Sequence, residues 1–573
     1  MTYYSNANPD LLAKIPVTAK RVLEIGCGTG GFARAYRDIN PSAEYWGVEL
    51  FPEAAEQARG VLNEVVLGSI EDAAVLAELD ARRGDRRFDV LIFGDVLEHL
   101  LDPWRVLETL RERMEPGAVV AVCIPNVGHW SLLREQLLGR WNYADAGLLD
   151  RTHLRFFSRD TAVDMLSKAG WTPLDADPRV LWPEKTEAAI KALTPAALAF
   201  GGDAEKAKRD LSAFQWVLRG VNGPLAPRLA VAALGMKKIG GVTEARVDHP
   251  MAALASLPSI RASWGAGTVV LPSGAAPGVF VLHRQFLNDQ TLTGHVEGLV
   301  QKGWTIVSDM DDDPHHWTGY VESDFRAFRG VHAVTVSTPA MAEMMRQWNP
   351  NVAIFPNAAA RLPDAPATTP KAGDRMRLFF GALNRENDWG PVRDQIMALA
   401  TAHADRIEWV VVHDQAFFDA LPAGAAKTFH PTLPHPKYMT ALAGCDIALL
   451  PLSDTPFNRL KSDLKLVECA SAGVVPVCSR LIYADDLAHA EFAVFAETPE
   501  DWRQALLGLI VSPDEVRRRR DLGRAHVAAH RMHAQEAARR EAFYRDIVAR
   551  RDDLEVQRQA RLAAMTNRLP ETV

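Results

Sequence analysis

Residues 22–31 read VLEIGCGTGG, an apolar run entering a glycine-rich turn. Gly26, Gly28 and Gly31 fit G-x-G-x-x-G, a spacing that lets a backbone approach a dinucleotide at a helix start. Gly26, Gly28 and Gly30 equally fit G-x-G-x-G, which points to S-adenosylmethionine. The glycines leave both open, and the flanking acids decide. Glu24 stands two residues before the first glycine. A carboxylate there suits a ligand with cationic groups and no pyrophosphate, whereas an anionic dinucleotide gains from the positive end of a helix. Glu49 closes the next apolar run, EYWGVEL, where an acid accepts hydrogen bonds from the ribose hydroxyls of either ligand.

Three further clusters carry chemistry. In FNRLKSDLKLVECASAGVVPVCS (457–479), Lys461 and Lys465 are four apart, on one face of a helix, and Glu468 follows. They fall between two apolar runs, where the loops of an open α/β sheet form a ligand crevice. In SDMDDDPHHW (308–317), Asp309-x-Asp311 and Asp311-x-Asp313 are hard oxygen ligands of the kind that hold Mg2+ or Mn2+. The spacing is short and common, so the preferred reading is a polar loop lining a cleft. Asp311 or His315 would orient an acceptor hydroxyl there, and Arg284 would join them. No residue is assigned to a metal. His129 and His153 are the candidate general bases, because imidazole titrates near neutral pH. Arg151 and Arg155 flank His153, so it serves equally well as a structural group or as part of an anion site.

The elements that must position these residues are α/β units. Through residue 125, apolar runs (RVLEIG, EYWGVEL, EVVLG, FDVLIFG, AVVAVCIP) alternate with helical segments, which predicts a parallel sheet covered by helices. WTPLDADPRVLWP and AFQWVLRGVN read as two final antiparallel strands, closing the first domain at residue 223. Residues 224–262, small and punctuated by Gly and Pro, read as a linker with a short helix. A second series (GTVVLP, GVFVLH, GWTIVSD, HAVTVS, VAIFPN) predicts a domain over 263–365. A third (MRLFFG, IEWVVVH, CDIALLPL, GVVPVCS, FAVFA) predicts another over 366–512. From Pro513 to residue 573 the Ala/Arg-rich chain reads as a solvated helical tail.

The 573 residues are too many for one core at ~150 per domain. A net charge of −8 argues against a nucleic-acid partner. The five cysteines (Cys27, Cys123, Cys445, Cys469, Cys478) form no C-x-x-C pair, which disfavours a zinc or disulfide framework. No signal peptide or spanning apolar run is legible. A cytoplasmic protein is expected, with peripheral contact at the inner face of a membrane left open.

Taken together, LEIGCGTG and GDVLEHLLDP resemble the first and post-fourth-strand motifs of class I S-adenosylmethionine-dependent methyltransferases, over about 10–223. The resemblance implies a seven-stranded Rossmann-like domain. Glu24, Gly26, Gly28, Gly30 and Asp95 would line the cofactor, Glu49 would bind its ribose, and Ser69 and Ile70 would flank adenine. Ser69 stands where Asp is common. The segment 126–158 resembles a branch associated with polysaccharide and cell-envelope sugars. Residues 263–530 resemble the retaining, family-4-like GT-B glycosyltransferases, which implies a pair of Rossmann-like domains. Gly381 would lie near the donor phosphates, Arg385, Lys461 and Lys465 would neutralise the diphosphate, and Glu468 would hold the donor ribose. The family pairs two glutamates eight apart; here Leu460 holds the earlier position, and Arg385-Glu386 replaces the usual lysine. The two resemblances imply a bifunctional enzyme of bacterial surface-polysaccharide synthesis. It would use S-adenosylmethionine, a nucleotide-sugar donor and a glycan or lipid-linked glycan acceptor. The alternative is an active methyltransferase with a non-catalytic glycan-binding module.

Overall fold

The computed structural model describes residues 7–237, 240–273, 276–364, 373–382 and 385–566. The chain divides into two units, Met1–Pro227 with Ala255–Ser259, and Arg228–Leu254 with Ile260–Val573.

The first unit is built on seven strands: β1 (Arg21–Ile25), β2 (Glu44–Glu49), β3 (Glu64–Leu67), β4 (Phe88–Gly94), β5 (Met114–Pro125), β6 (Thr172–Arg179) and β7 (Gln215–Val221). They lie in the order β3-β2-β1-β4-β5-β7-β6. The pairs among β1–β5 are parallel, and β7 is antiparallel to both β5 and β6. Strands buried on both faces must be apolar throughout. Leu23, Ile25, Leu91, Phe93, Val120 and Val122 accordingly fill one core face, while Val22, Val90, Ile92 and Ala121 fill the other. Strand order reverses between β1 and β4, so a crevice opens at their carboxyl ends. Both the glycine turn after β1 and Asp95 after β4 lie at that point.

The second unit holds two six-stranded sheets. One contains β8 (Leu229–Gly235), β9 (Ile260–Ala266), β10 (Val279–His283), β11 (Thr305–Met310), β12 (Ala333–Val336) and β13 (Val352–Ile354), in the order β13-β12-β11-β10-β8-β9. The other contains β14 (Met376–Gly381), β15 (Ile407–Val412), β16 (Ala426–His430), β17 (Ile447–Leu450), β18 (Val475–Cys478) and β19 (Val494–Phe495), in the order β16-β15-β14-β17-β18-β19. Every pairing in both is parallel. Their switch points lie between β8 and β10 and between β14 and β17.

Three segments differ from the sequence reading. Within the supposed linker 224–262, Leu229–Gly235 is a central strand and Ile260–Ala266 its neighbour. The run LAVAALG is short and uniformly apolar, and periodicity alone does not separate such a run from a helix. GTVVLP, read as a strand, lies beyond the end of β9. The tail from Pro513 is three helices whose Tyr544, Ile547 and Leu554 are buried. Arg558 of the last helix pairs at 2.7 Å with Glu297 of the helix Glu297–Gln301, so it packs against the helical layer beside the first of these two sheets rather than standing in solvent. The boundary drawn at residue 365 lies outside the described residues.

Candidate functional sites

In the first unit, Gly26, Gly28 and Gly30 adopt φ of +71°, +55° and +82°. A Cβ on Gly26 would meet Val96 Cγ2 at 2.6 Å, and one on Gly30 would meet Leu62 at 2.9 Å. The turn therefore requires glycine for conformation and for space. Glu49 holds it: its carboxylate accepts from the Gly28 N–H at 2.7 Å and from the Phe51 N–H at 3.0 Å. Glu24 lies beside them, buried, and accepts from the Tyr45 hydroxyl at 2.9 Å. Asp95 takes a left-handed φ of +57°, rare outside glycine, and accepts from Gln215. Burial raises its carboxyl to about 6. Ser69 and Ile70 follow β3; Ile70 is buried, and the Ser69 hydroxyl accepts from the Glu71 N–H at 3.3 Å.

Burial pushes the Glu24 carboxyl up to about 8, with the Tyr45 hydrogen bond opposing and the Glu49 charge adding. The folded state then keeps a proton that the unfolded chain releases near 4.5. Across that window the folded state binds more protons, so stability falls as pH rises from about 4.5 to about 8. Glu24→Gln, which preserves an acceptor for Tyr45, is expected to melt with the wild type at about pH 5 and above it at about pH 8.5. Equal pH slopes in the two melting series would refute the assignment.

The two histidines proposed as bases sit differently from expectation. His129 is fully buried, packs between Trp130 and Phe214, and its Nδ1 accepts from the Ser131 N–H at the start of helix Trp130–Leu137. Burial holds it neutral, down at about 4. It is a helix cap without access to an acceptor. His153 is half-buried, 4.8 Å ring to ring from His99, and its pKa is lowered by burial and by His99. The flanking arginines are engaged elsewhere, Arg151 with Asp145 and Arg155 with the Leu101 carbonyl. His153 remains the more accessible of the two. Beside it, Glu98 is buried, with neither carboxylate oxygen hydrogen-bonded among the described residues. The sequence reading passed over Glu98, although it lies within GDVLEHLLDP.

In the second unit a cavity of about 590 Å³ opens where the switch points of the two sheets face each other. Its cations are Arg284, Arg385, Lys461 and Lys465, with Asp312 as the acid among its lining residues. Gly240 and Gly241 approach by backbone, and Trp317, Phe457, Tyr438 and Tyr483 supply aromatic surface. Arg385 is aimed by Asp388 at 2.7 Å and Asn458 at 3.1 Å. Lys461 lies 4.1 Å over the Phe457 ring and 3.5 Å from Asp312, and burial pulls its ammonium below the usual lysine range. Lys465 donates to the Tyr438 hydroxyl at 3.0 Å and to Glu468 at 3.2 Å. Gly381 admits no side chain, since a Cβ would meet Phe379 at 2.5 Å. Arg284 and His413, each the first residue past a strand, hold left-handed φ of +51° and +77°. Such strain concentrates where a site needs a side chain held in one direction.

Other expected residues do not reach this cavity. Asp309 is buried against Arg246 at 2.6 Å and also accepts from Thr335. Asp311 is clamped by Arg284 at 2.6 Å, which holds its carboxyl well below the usual range once burial is overcome. Both acids are thus engaged in ion pairs, not open to an acceptor or a metal. His315 is half-exposed, paired with Asp313 at 2.8 Å and packed on Phe325 and Trp348, while the neighbouring His316 lines the cavity. Glu468 turns its carboxylate onto His435 at 2.9 Å and onto Lys465. It lines a second cavity, of about 550 Å³, which shares His435 with the first. Leu460 packs on the apolar core of the sheet that contains β10 and β11.

A family model described as "Methyltransferase domain" matches residues 2–176. The chain is 29% identical over 168 residues to the ubiquinone biosynthesis O-methyltransferase of Cereibacter sphaeroides, covering 29% of this chain and 66% of that protein. It is 28% identical over 161 residues to the malonyl-[acyl-carrier protein] O-methyltransferase of Geobacter sulfurreducens, covering 28% and 58%. It thus spans just under two thirds of the length of the first relative and less of the second. Among solved structures, HepE of Anabaena in complex with UDP-glucose aligns with 55% of this chain and 99% of its own, at 12% identity and a TM-score of 0.40. The N-terminal unit of this chain carries a methyltransferase domain.

Proposed function

We propose that the chain is a transferase with two sites: an S-adenosylmethionine-dependent O-methyltransferase in the first unit and a nucleotide-sugar-dependent glycosyltransferase in the second. The acceptor would be a glycan or lipid-linked glycan of a bacterial surface polysaccharide. The first assignment rests on the methyltransferase match together with the glycine turn braced by Glu49 beside buried Glu24. Those residues fit the cofactor: a turn that excludes side chains admits it closely, the Glu49 carboxylate can accept from its ribose, and the Glu24 carboxyl, protonated in the empty site, would complement its cationic end on losing that proton. When bound, S-adenosylmethionine supplies an activated methyl group. The chain's contribution is alignment of the acceptor oxygen, with His153 the available proton acceptor.

The observation that carries the second assignment is the cavity at facing switch points, with four cations and one acid among its lining residues. Transfer breaks the bond from the sugar's anomeric carbon to the diphosphate oxygen, and negative charge grows on that oxygen. Arg284, Arg385 and Lys461 supply positive charge to the cavity in which it would form. Glu468 and Leu460 favour a second reading, a glycan-binding module without transfer, because neither places a carboxylate in this cavity.

A thermal-shift panel on the full-length protein tests both sites, using S-adenosylhomocysteine, NAD, UDP, GDP, dTDP and CMP. Separate shifts with S-adenosylhomocysteine and one nucleotide are expected by mass action. A shift from NAD in place of S-adenosylhomocysteine overturns the first assignment. Absence of any nucleotide shift overturns the second. Donor hydrolysis without acceptor distinguishes a transferase from a binding module.

A further inference from the structure

Away from both sites, the segment that follows β18 meets the long helix Pro513–His530. Asp486, His489 and His526 converge here, each offering one ligand atom, and these atoms lie within 4.8 Å of one another. We propose that Asp486, His489 and His526 form a binding site for a divalent transition metal of the zinc class.

The geometry supports the assignment through His489. Its side chain is 2% exposed, and Nδ1 lies 2.9 Å from the Tyr483 carbonyl oxygen. A carbonyl only accepts, so Nδ1 carries the proton and Nε2 presents a lone pair. This is how a metal-binding imidazole is usually oriented, with its other nitrogen fixed by a second hydrogen bond. Nε2 is buried and has no hydrogen-bond partner among the described residues. It faces Asp486 Oδ2 at 3.7 Å, too far for a hydrogen bond.

His526 offers a second buried nitrogen. Its ring sits 5.4 Å from that of His489, and its own Nε2 is buried and unpartnered among the described residues. His530, one turn further along the helix, has its ring 5.2 Å from that of His526 but stands outside the cluster of three. Asp463 lies 3.9 Å from His489 Nε2 but is engaged by Arg531 at 2.5 and 2.7 Å, so it adds negative field rather than a ligand. Asp486 Oδ1 caps the Ala488 N–H at 2.9 Å, which leaves Oδ2 for the metal.

Two imidazoles and a carboxylate favour zinc-class ions over Mg2+ or Ca2+, which prefer all-oxygen sets. Bonds of about 2.0–2.1 Å require only a small closure of these side chains. The metal would tie residues 483–489 to the long helix. Because the Tyr483 carbonyl orients His489 while Tyr483 lines the nucleotide cavity, it would stiffen one wall of that cavity.

The test uses full-length, tag-free protein stripped with a chelator, re-equilibrated with Zn2+ and measured by elemental analysis and chelator competition. A bound zinc is expected in the wild type. Asp486→Asn and His526→Gln, both outside the most buried position, are expected to weaken zinc by about 100-fold or more while melting like stripped wild type. His489→Gln should do the same if it folds. Absence of retained zinc in the wild type overturns the proposal. So does undiminished zinc in both Asp486→Asn and His526→Gln, which would place the ion elsewhere in the chain.

Discussion

Full-length protein carrying Gly28→Arg is expected to bind S-adenosylhomocysteine more than about 100-fold more weakly than the wild type, with its response to nucleotides unchanged. Two effects combine. Gly28 sits at φ +55°, where an L side chain costs about 1–2 kcal/mol. Its N–H also donates to Glu49 at 2.7 Å, so a displaced turn carries away the carboxylate proposed to meet the ribose. Loss of two charge-assisted hydrogen bonds at about 1.5–3 kcal/mol each is sufficient for that drop. Gly84→Ala is the control for strain alone. Gly84 has φ +60° and open space around its Cβ, and it closes the helix Ala73–Arg83 away from the turn. It should lower melting slightly and leave binding intact. Wild-type affinity in Gly28→Arg, or equal loss in Gly84→Ala, would show that the turn does not hold the ligand. Titration calorimetry on the three proteins decides it.

The glycine turn was legible because everything it needs is local. A strand, three glycines and an acid two residues upstream are consecutive; steric rules demand the glycines, and the charge of the acid narrows the ligand. Most strands of the three sheets were legible for a related reason, since buried parallel strands read as continuous apolar runs; β8, β9 and β16 were not. β8 failed the same test because its flanks carry Gly and Pro and its neighbours lie 25 or more residues away in sequence. β16, lysine-bearing and at a sheet edge, carries too little apolar signal to stand out.

Long-range pairing was not legible. Asp309 and Asp311 looked free because their neighbours in sequence are acids. Their partners, Arg246 and Arg284, are 63 and 27 residues distant. In the same stretch the cavity takes Asp312 and His316 where Asp311 and His315 were expected. The segment reaches the cavity, but adjacent side chains on an irregular strand end point to different sides, and sequence fixes no such phase. The helical tail shows the complementary error. Its charges mark a solvated face, yet Tyr544, Ile547 and Leu554 make a buried stripe.

Within the cavity, Lys461→Met is expected to weaken nucleoside diphosphate binding by about 10–100-fold, the equivalent of one charge-assisted hydrogen bond. Methionine keeps most of the side chain's volume and its contact with Phe457, so the change isolates the charge. Arg385→Met should produce a similar loss. It also leaves Asp388 without its ion pair, so its effect on melting will be larger. Asp312 supplies the opposite sign. It lies 3.5 Å from Lys461 and 3.7 Å from Arg284, where it both competes for the lysine and repels an incoming diphosphate. Asp312→Asn should therefore tighten nucleotide binding, and the gain should vanish in the Lys461→Met background, because the two residues act through one pair. Calorimetry with whichever of UDP, GDP or dTDP shifts the wild type reads the wild type and the four variants. A neutral Lys461→Met would remove the diphosphate from this cavity. Weakened binding in Asp312→Asn would mean that the acid contacts the ligand directly, as an acceptor for a sugar or ribose hydroxyl.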